Sequence, residues 1–457
     1  MNGLVSSINQ FLSFISLLDM GVSSVVESEL YKPIFNGDNK RVSEIASASN
    51  KFFYKIGLGL VVYTIVLMIV YPLMVPNDMG HVSTTMLIFS IALGLFFQYF
   101  LGITNEVILN AEQYAYVQYM FTIITTILNT VICIVMIQSG ANIITLKFVS
   151  SLIFLLRPLG MRIVIVRKFK INFKEHYNED PIKQKWNGLA QHIASFIFGN
   201  TDIAVLTLLS TLKNVSIYSI YSLVVTSLNT FGARSLVGVR TNAGRLYAST
   251  DKSKLTSFFE YIEWLYHNIV IVIFADTSVL ISSFVAIYTK GVHDANYYQP
   301  LFALVISVAY GTNCINNIYN SIIHATGKFK ETQHSYIIEA ILNISLSIIL
   351  VFRMGIVGVA IGTLIAVVYQ LAYYIRYFHN NIVFISYKNE IKLLLVDCVI
   401  FIGIQIIGKL INIDGTTYLQ WIPKAIITLA ISVLISIVIN YIFYHDMIIK
   451  VRTSLKR

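Results

Sequence analysis

Apolar runs that are long enough to cross a membrane alternate with short polar clusters along the whole chain. They predict thirteen spans, near residues 4–30, 52–75, 84–110, 114–138, 144–168, 186–210, 214–240, 255–289, 297–326, 332–353, 356–378, 390–411 and 421–444. The runs lack the strand-like alternation of apolar and polar residues that marks a membrane barrel. In lipid, an open run of this kind satisfies its backbone polar groups only as a helix. The pattern therefore predicts an all-α polytopic membrane protein.

Composition agrees with the bilayer as the main solvent. Of the 457 residues, 56% are hydrophobic and 12% are charged, and the mean hydropathy is +0.71, whereas soluble domains carry about 25% charged residues. The three cysteines, Cys133, Cys314 and Cys398, fall inside apolar runs without metal-ligand spacing, so we interpret them as small hydrophobic residues. No hydrolase, kinase or zinc-protease motif occurs in the sequence. We therefore expect a protein that is not an enzyme and has no cofactor.

Most of the 33 basic residues lie in alternate connections between the predicted spans. The positive-inside rule makes those connections cytoplasmic. They hold Lys32, Lys40, Arg41 and Lys51; Arg162, Arg167, Lys168, Lys170, Lys174, Lys183 and Lys185; Arg234, Arg240, Arg245, Lys252 and Lys254; Lys328 and Lys330; Arg376, Lys388 and Lys392; and Lys450, Arg452, Lys456 and Arg457. This arrangement predicts a multi-pass protein of the bacterial inner membrane with a cytoplasmic C-terminus. An odd number of spans then places Met1 outside. Either a first helix is missing, which we favour, or the first span inserts with its neighbour as a hairpin.

Short matches at one constant spacing indicate an internal repeat. Ile127-Leu128-Asn129 recurs as Ile341-Leu342-Asn343, and Ile108-Leu109-Asn110-Ala111 corresponds to Ile322-Ile323-His324-Ala325. Because the spacing covers an even number of spans, the repeats are parallel. We predict an N-terminal helical lobe over 1–170, a basic cytoplasmic linker over 171–185, a C-terminal lobe over 186–380 and two additional helices over 381–457.

Arg157 is the deepest basic residue of the fifth span, about eleven residues from its cytoplasmic end. Pro158 follows it and is expected to kink the helix toward the bundle interior. Ionisable groups at such depth usually face a cavity. Arg157 is therefore predicted to contact a substrate phosphate, and the alternative is a structural pair with a buried carboxylate.

Several acids also fall within spans, and any of them is able to neutralise an arginine. Asp202 lies in Gly199-Asn200-Thr201-Asp202, on a polar patch with Gln191 and His192 that is typical of a helix lining water. The other intramembrane acids are Asp19, Glu106, Asp276, Glu339 and Asp397. Arg234 and Arg240, at the inner end of the seventh span, are predicted to attract a diphosphate, although membrane topology alone also explains them.

The ninth span carries four asparagines at helical spacing. Asn313, Asn316, Asn317 and Asn320 follow the i, i+3, i+4, i+7 pattern, so they form one polar stripe. In lipid such a stripe faces protein or water. Amides suit sugar hydroxyls, which makes Asn313, Asn317 and Asn320 candidate substrate contacts. Hydrogen bonding between helices predicts the same pattern, and both interpretations stay open.

Several stretches resemble those of polysaccharide flippases. They are Gly3-Leu4-Val5-Ser6-Ser7 leading to Leu18-Asp19-Met20-Gly21-Val22, Glu29-Leu30-Tyr31-Lys32-Pro33, Asn200-Thr201-Asp202, Tyr288-Thr289-Lys290-Gly291-Val292 and Ala325-Thr326-Gly327-Lys328-Phe329. The resemblance is to Wzx-type O-antigen and capsule exporters of the multidrug/oligosaccharidyl-lipid/polysaccharide (MOP) superfamily. It implies two lobes of six helices with two further helices, in a family pattern whose first helix this chain lacks.

The resemblance also implies a function. We expect a flippase that moves an undecaprenyl-diphosphate-linked oligosaccharide from the inner to the outer leaflet by alternating access. The expected partners are this lipid-linked glycan, membrane lipids, a coupling cation (proton or sodium) and a polysaccharide polymerase, without nucleic acid. One alternative is a cation-coupled multidrug exporter that uses Asp19, Glu106 or Asp202. Another is a non-transporting scaffold of a polysaccharide assembly complex.

Overall fold

The computed structural model describes residues 2–15, 22–75, 79–112, 114–177, 181–182, 189–248, 252–326, 329–382, 387–411 and 417–447. These residues form fifteen α-helices and no strand. The helices are α1 Asn2–Ser13, α2 Val22–Phe35, α3 Asn39–Met74, α4 His81–Phe97, α5 Ile103–Ala111, α6 Ala115–Gln138, α7 Ile143–Phe169, α8 Leu189–Leu209, α9 Leu212–Ser235, α10 Val237–Ala248, α11 Lys252–Tyr288, α12 Pro300–Ala325, α13 Phe329–Asn381, α14 Tyr387–Leu410 and α15 Tyr418–Phe443.

The predicted spans correspond to these helices, and the all-α membrane fold is confirmed. Within the described ranges, nine helices are long and apolar enough to cross a membrane. A π-helical turn, Gln98–Gly102, joins α4 to α5 and makes them one span. In α13, Gly355 has φ 55° and ψ −131°, which is not helical, and it separates the two spans predicted at 332–353 and 356–378. The chain is a multi-pass membrane protein.

The halves of α13 pack closely on each other. A Cβ atom on Gly358 would lie 2.4 Å from the Leu350 carbonyl oxygen, and one on Gly362 would lie 2.7 Å from the Ser347 hydroxyl. The hydroxyl of Thr363 therefore reaches the Asn343 amide across the turn, at 2.9 Å. The break at Gly355 thus brings polar residues from two spans together.

Two predicted boundaries differ from the structure, and one predicted residue lies outside the described ranges. α3 begins at Asn39, where the Asp38 side chain accepts a hydrogen bond from the Arg41 backbone at 3.0 Å, so the polar residues assigned to a loop before 52 are helical. The seventh predicted span is interrupted, because α9 ends at Ser235 and α10 begins at Val237. Asp19 lies outside the described residues, between α1 and α2.

The chain divides into two compact units, one of Leu4–Phe196 and one of Ile197–Arg457 with Met1–Gly3. The first unit has a core of apolar residues from α2, α3, α5 and α7. The stretch predicted as a basic linker contributes Ile171, Phe173 and Ile182 to this core. At the margin of this unit, α6 buries only 6% of its most hydrophobic stretch. Its apolar surface therefore remains free to face lipid.

In the second unit, α11 lies at the centre. It buries 61% of its most hydrophobic stretch and contacts α9, α10, α12, α14 and α15. The last two helices pack on α11 through an apolar cluster of Ala275, Val396, Ile400 and Ile404. Trp264 of α11 also donates a hydrogen bond to Asn440 of α15, at 2.8 Å. The helices that sequence analysis predicted as a C-terminal addition are thus part of this unit's core.

Candidate functional sites

Arg157 on α7 forms an ion pair with a carboxylate of the first unit. Its Nη2 atom lies 2.7 Å from Oε1 of Glu106, and the two side chains are 24% and 19% exposed. Gln98, in the π-helical turn, donates to the same oxygen at 2.9 Å. The Nε atom of Arg157 is buried and has no hydrogen-bond partner among the described residues. The guanidinium is therefore balanced in charge but keeps an unused donor.

Asn105 holds α5 against α7 beside this pair. Its amide nitrogen donates to the carbonyl oxygens of Leu101, at 2.6 Å, and Pro158, at 3.1 Å. Its amide oxygen accepts a hydrogen bond from Arg162 at 3.1 Å. The helix continues through Pro158 to Phe169. The backbone around Arg157 is thus fixed by a buried side chain from the neighbouring helix.

Asp202 on α8 is the centre of a buried polar cluster in the second unit. The carboxyl group is 7% exposed, and its Oδ2 atom accepts hydrogen bonds from Tyr218, at 2.5 Å, and Thr363, at 2.9 Å. Asn343 donates to Thr363 from the other half of α13. Within the described part of the chain, Asp202 Oδ1 and Asn343 Oδ1 are buried without a hydrogen-bond donor.

This cluster is rich in oxygen atoms that lack a positive partner. A carboxylate, an amide and a hydroxyl are the ligands that sodium and other hard cations prefer. The described residues contain no group of three or more His, Cys, Asp or Glu side chains placed to hold a metal ion. Gln191 and His192 share α8, but their side chains are outside the described set. The cluster is therefore suited to a hard monovalent cation or a proton.

The asparagine stripe of α12 is divided between two neighbouring helices. Asn316 donates to the Val367 carbonyl at 3.0 Å, and Asn320 accepts from Tyr336 at 2.7 Å, so both contact α13. Asn317 instead donates to Asn229 of α9 at 3.3 Å. Asn313 is half-buried. The predicted periodicity is present, and three members hydrogen-bond to adjacent helices.

The remaining predicted site residues are more scattered. Arg234, in the last turn of α9, and Arg240, in the first turn of α10, have exposed side chains. Among the other intramembrane acids, Asp276 accepts from Ser432 at 3.2 Å, and Asp397 pairs with His267 at 2.7 Å. Glu339 accepts from Gln370. Among the predicted acids that the structure describes, Glu106 is the one that pairs with Arg157.

Comparisons with known proteins agree on the fold. Neither the comparison with protein families nor that with curated proteins found a match for the sequence. Among solved structures, the chain is similar to the lipid II flippase MurJ in an inward closed conformation, with a TM-score of 0.68, 17% identity and 98% of each chain covered.

It is also similar to an inward-facing multidrug transporter of the MATE family, with a TM-score of 0.64, 14% identity and coverage of 82% of this chain and 90% of that chain. A MOP superfamily transporter from Pyrococcus furiosus gives a TM-score of 0.55 at 13% identity, with 81% and 87% covered. At such identities the likeness concerns the fold. The chain therefore has the two-lobe helical fold shared by these flippases and transporters of the MOP superfamily.

Proposed function

We propose that this protein is a MOP-type transporter that moves an undecaprenyl-diphosphate-linked oligosaccharide, an O-antigen or capsule repeat unit, from the inner to the outer leaflet of the bacterial cell membrane. The observation that carries the proposal is the fold likeness to a lipid II flippase over 98% of both chains. The net charge of +10 favours an anionic lipid-linked substrate. Movement would proceed by alternating access, as is usual for transporters built from repeats.

Arg157 is the residue we assign to the diphosphate. Guanidinium binds phosphate oxygens bidentately and stays charged at physiological pH. Its ion pair with Glu106 leaves Nε unused, so an arriving phosphate would exchange with the carboxylate and take up this donor. Exposed Arg234 and Arg240 would attract the substrate electrostatically. Asn313, Asn317 and Asn320 would contact its sugars.

The Asp202 cluster is our candidate for the coupling ion. Two buried oxygens without donors leave a net negative, oxygen-lined position, and burial of an unbalanced carboxylate is costly unless a cation or proton joins it. We assign a sodium ion or a proton to this position. Its binding and release would supply the driving force for export.

A transport assay tests the substrate. Purified full-length chain is reconstituted into vesicles that contain an undecaprenyl-diphosphate-linked glycan, and outward movement is followed by accessibility of the glycan to an external glycosidase. We expect protein-dependent exposure that the Asp202→Asn variant slows. If the wild-type chain moves no such lipid in vesicles where another flippase succeeds, the assignment of this substrate is wrong.

The MATE likeness and the acidic Asp202 cluster favour a second candidate, a cation-coupled multidrug exporter. In a pump-deficient strain this function predicts efflux of ethidium or norfloxacin. Deletion of the gene in its own host separates the candidates, because loss of surface polysaccharide with unchanged drug sensitivity supports the flippase and the converse supports the exporter.

A further inference from the structure

A second set of buried ionisable groups lies between α11, α12 and α14, and neither the substrate nor the coupling ion accounts for it. Glu263 of α11 is 4% exposed and Glu390 of α14 is 6% exposed. Tyr319 of α12 lies between them, with its hydroxyl 2.5 Å from Oε1 of Glu263 and 3.3 Å from Oε2 of Glu390. Two carboxyl groups from different helices thus meet at one phenol.

The three side chains Glu263, Glu390 and Tyr319 need one more proton to complete their hydrogen bonds. A phenol has a single proton and donates to one acceptor at a time. If both acids were ionised, they would be acceptors only, and the second carboxylate would face the same phenol oxygen without a donor. Two carboxyl groups that meet at one phenol in an apolar environment do not both ionise.

The described residues do not supply enough positive charge to compensate the pair. His267, one turn further along α11, has its Nδ1 atom 2.7 Å from Asp397 and also faces Glu390, so a single imidazole is shared among three carboxyl groups. Lys392 of α14 donates to the Phe443 carbonyl at 2.7 Å and lies 4.4 Å over the ring of Tyr444. Neither basic group therefore balances both carboxyl groups of the pair.

The other titratable groups that face the site add negative charge or none. Glu260, one turn before Glu263, is half-buried on the same face of α11. Tyr374 of α13 stacks on Tyr319, with ring centroids 6.3 Å apart. Beyond α15, burial raises the pKa of Tyr444 above its ordinary value, so that this phenol is neutral. Neutralisation of the pair must come from a proton.

We propose that Glu263 and Glu390 share one proton and, with Tyr319, form a proton-binding site. The shared proton supplies the missing donor between the carboxyl groups. It also leaves the site with one negative charge rather than two. This site is separate from the Asp202 cluster, and its existence does not depend on which substrate the protein moves.

Access to the site is from one end of α11. A cavity of about 310 Å³ adjoins Glu263, and its ionisable lining residues are Glu260, Glu263, Lys392, Tyr444, His445 and Asp446. In the opposite direction, past Asp397, the apolar cluster of Ala275, Val396, Ile400 and Ile404 fills the interface between α11 and α14. A proton would therefore reach Glu263 from the cavity rather than through the apolar cluster.

Loss of the proton would weaken the attachment of α14. In the unfolded chain both acids are in water and ionised at neutral pH, so folding takes up a proton and unfolding releases it. Stability consequently falls as pH rises until the native site has lost its proton. Above that pH, two carboxylates repel each other across the α11–α14 contact.

Infrared spectroscopy of the full chain in detergent tests the site directly, because a protonated carboxyl has a carbonyl stretch distinct from that of a carboxylate. The wild-type protein at neutral pH is compared with the double variant Glu263→Gln/Glu390→Gln. We expect the variant to lose one equivalent of the protonated-carboxyl band. The matched control is Glu260→Gln, on the same face of α11, which should keep the band.

A band that is unchanged in the double variant would overturn the proposal, since the protonated carboxyl would then belong to another acid. The wild-type protein provides a second measurement that does not depend on the folding of a variant. Dicyclohexylcarbodiimide adds a protonated carboxyl across its C=N bond to give an O-acylisourea. In a water-poor site this product rearranges by an acyl shift from oxygen to nitrogen, and the resulting N-acylurea is located by mass spectrometry. We expect modification at Glu263 or Glu390 that declines as pH rises. Absence of modification at both positions in mildly acidic buffer would contradict the shared proton.

Discussion

Two pairs of ionisable residues, one in each unit, show different ways of keeping charge inside a membrane protein. In the first unit, Arg157 and Glu106 carry opposite charges and meet at 2.7 Å. In the second, Glu263 and Glu390 are both acids and meet through the hydroxyl of Tyr319. Each pair joins helices that are distant in the sequence. They differ in what completes them, a counter-charge in one and a proton in the other.

The difference has a chemical consequence. An arginine stays protonated throughout the physiological range, so the first pair changes only when another anion competes for the guanidinium. A carboxyl pair changes when a proton leaves. The first pair is therefore suited to recognising an anionic ligand, and the second to sensing pH.

The largest expected effect is the loss of export when Arg157 is replaced. Arg157→Gln should abolish surface polysaccharide in a flippase-deficient strain while the protein still accumulates in the membrane, because the phosphate loses its bidentate donor. Arg157→Lys should restore export partly. Both are measured by polysaccharide blots and by immunoblots of membranes.

The matched control for Arg157 is Arg353→Gln, which removes an exposed arginine of α13 and should export normally. Normal export by Arg157→Gln would show that the phosphate contact is wrong. Failure of this variant to accumulate would instead make the ion pair structural.

Removal of the counter-charge should have the next largest effect. Glu106→Gln leaves Arg157 without a carboxylate and should lower the free energy of unfolding by about 3 kcal/mol, the scale for breaking a buried pair. Denaturation in detergent measures it. The pair of Arg41 and Glu44 is 2.8 Å apart and has the more exposed arginine, at 40%. It serves as control, since Glu44→Gln should cost less than about 1 kcal/mol. Equal losses would remove the distinction between buried and exposed pairs.

The carboxyl pair should differ from the ion pair in its pH dependence. Because folding takes up a proton, wild-type stability should fall by at most about 1.4 kcal/mol for each pH unit between neutral and alkaline pH. The Glu263→Gln variant holds a neutral amide at this position and should give a flatter profile. Thermal unfolding across pH measures both. Parallel profiles for the two proteins would contradict a shared proton.

The smallest expected effect concerns the Asp202 cluster, to which the described side chains add neither a counter-charge nor a second acid. If sodium binds there, thermal stability should rise in sodium relative to choline, by about 1 kcal/mol when sodium exceeds its dissociation constant several-fold. Asp202→Asn should abolish the difference. A sodium effect that persists in this variant would place the ion elsewhere.

The helices were largely predictable because membrane spans depend on length and hydropathy alone. The start of α3 was not, since residues 39–51 are polar and hydropathy assigns them to a loop. In the structure their helix extends beyond the apolar stretch and is held by tertiary contacts, such as Ser43 accepting a hydrogen bond from the Asn172 backbone at 3.1 Å. Hydropathy therefore does not predict a polar segment that is helical because it packs against protein.

The candidate sites were predictable only one residue at a time. The depth of Arg157 indicated that it needs a partner, and Glu106 was among the acids named, but sequence alone did not join them. Glu263 and Glu390 were missed because each lies near the start of a predicted span, where a single acid is unremarkable. The spacing of Glu260, Glu263 and His267 along one face of α11 was the available signal.

The turn at Gly355 bears on the order in which the Asp202 cluster assembles during synthesis. Tyr218 follows Asp202 by only 16 residues, so α8 and α9 enter the membrane with a donor for the buried carboxyl already in place. Thr363 follows Asp202 by 161 residues and arrives on a hairpin whose own Asn343–Thr363 contact spans 20 residues. We therefore expect this cluster to form during synthesis from two halves, each with one internal hydrogen bond made before they meet.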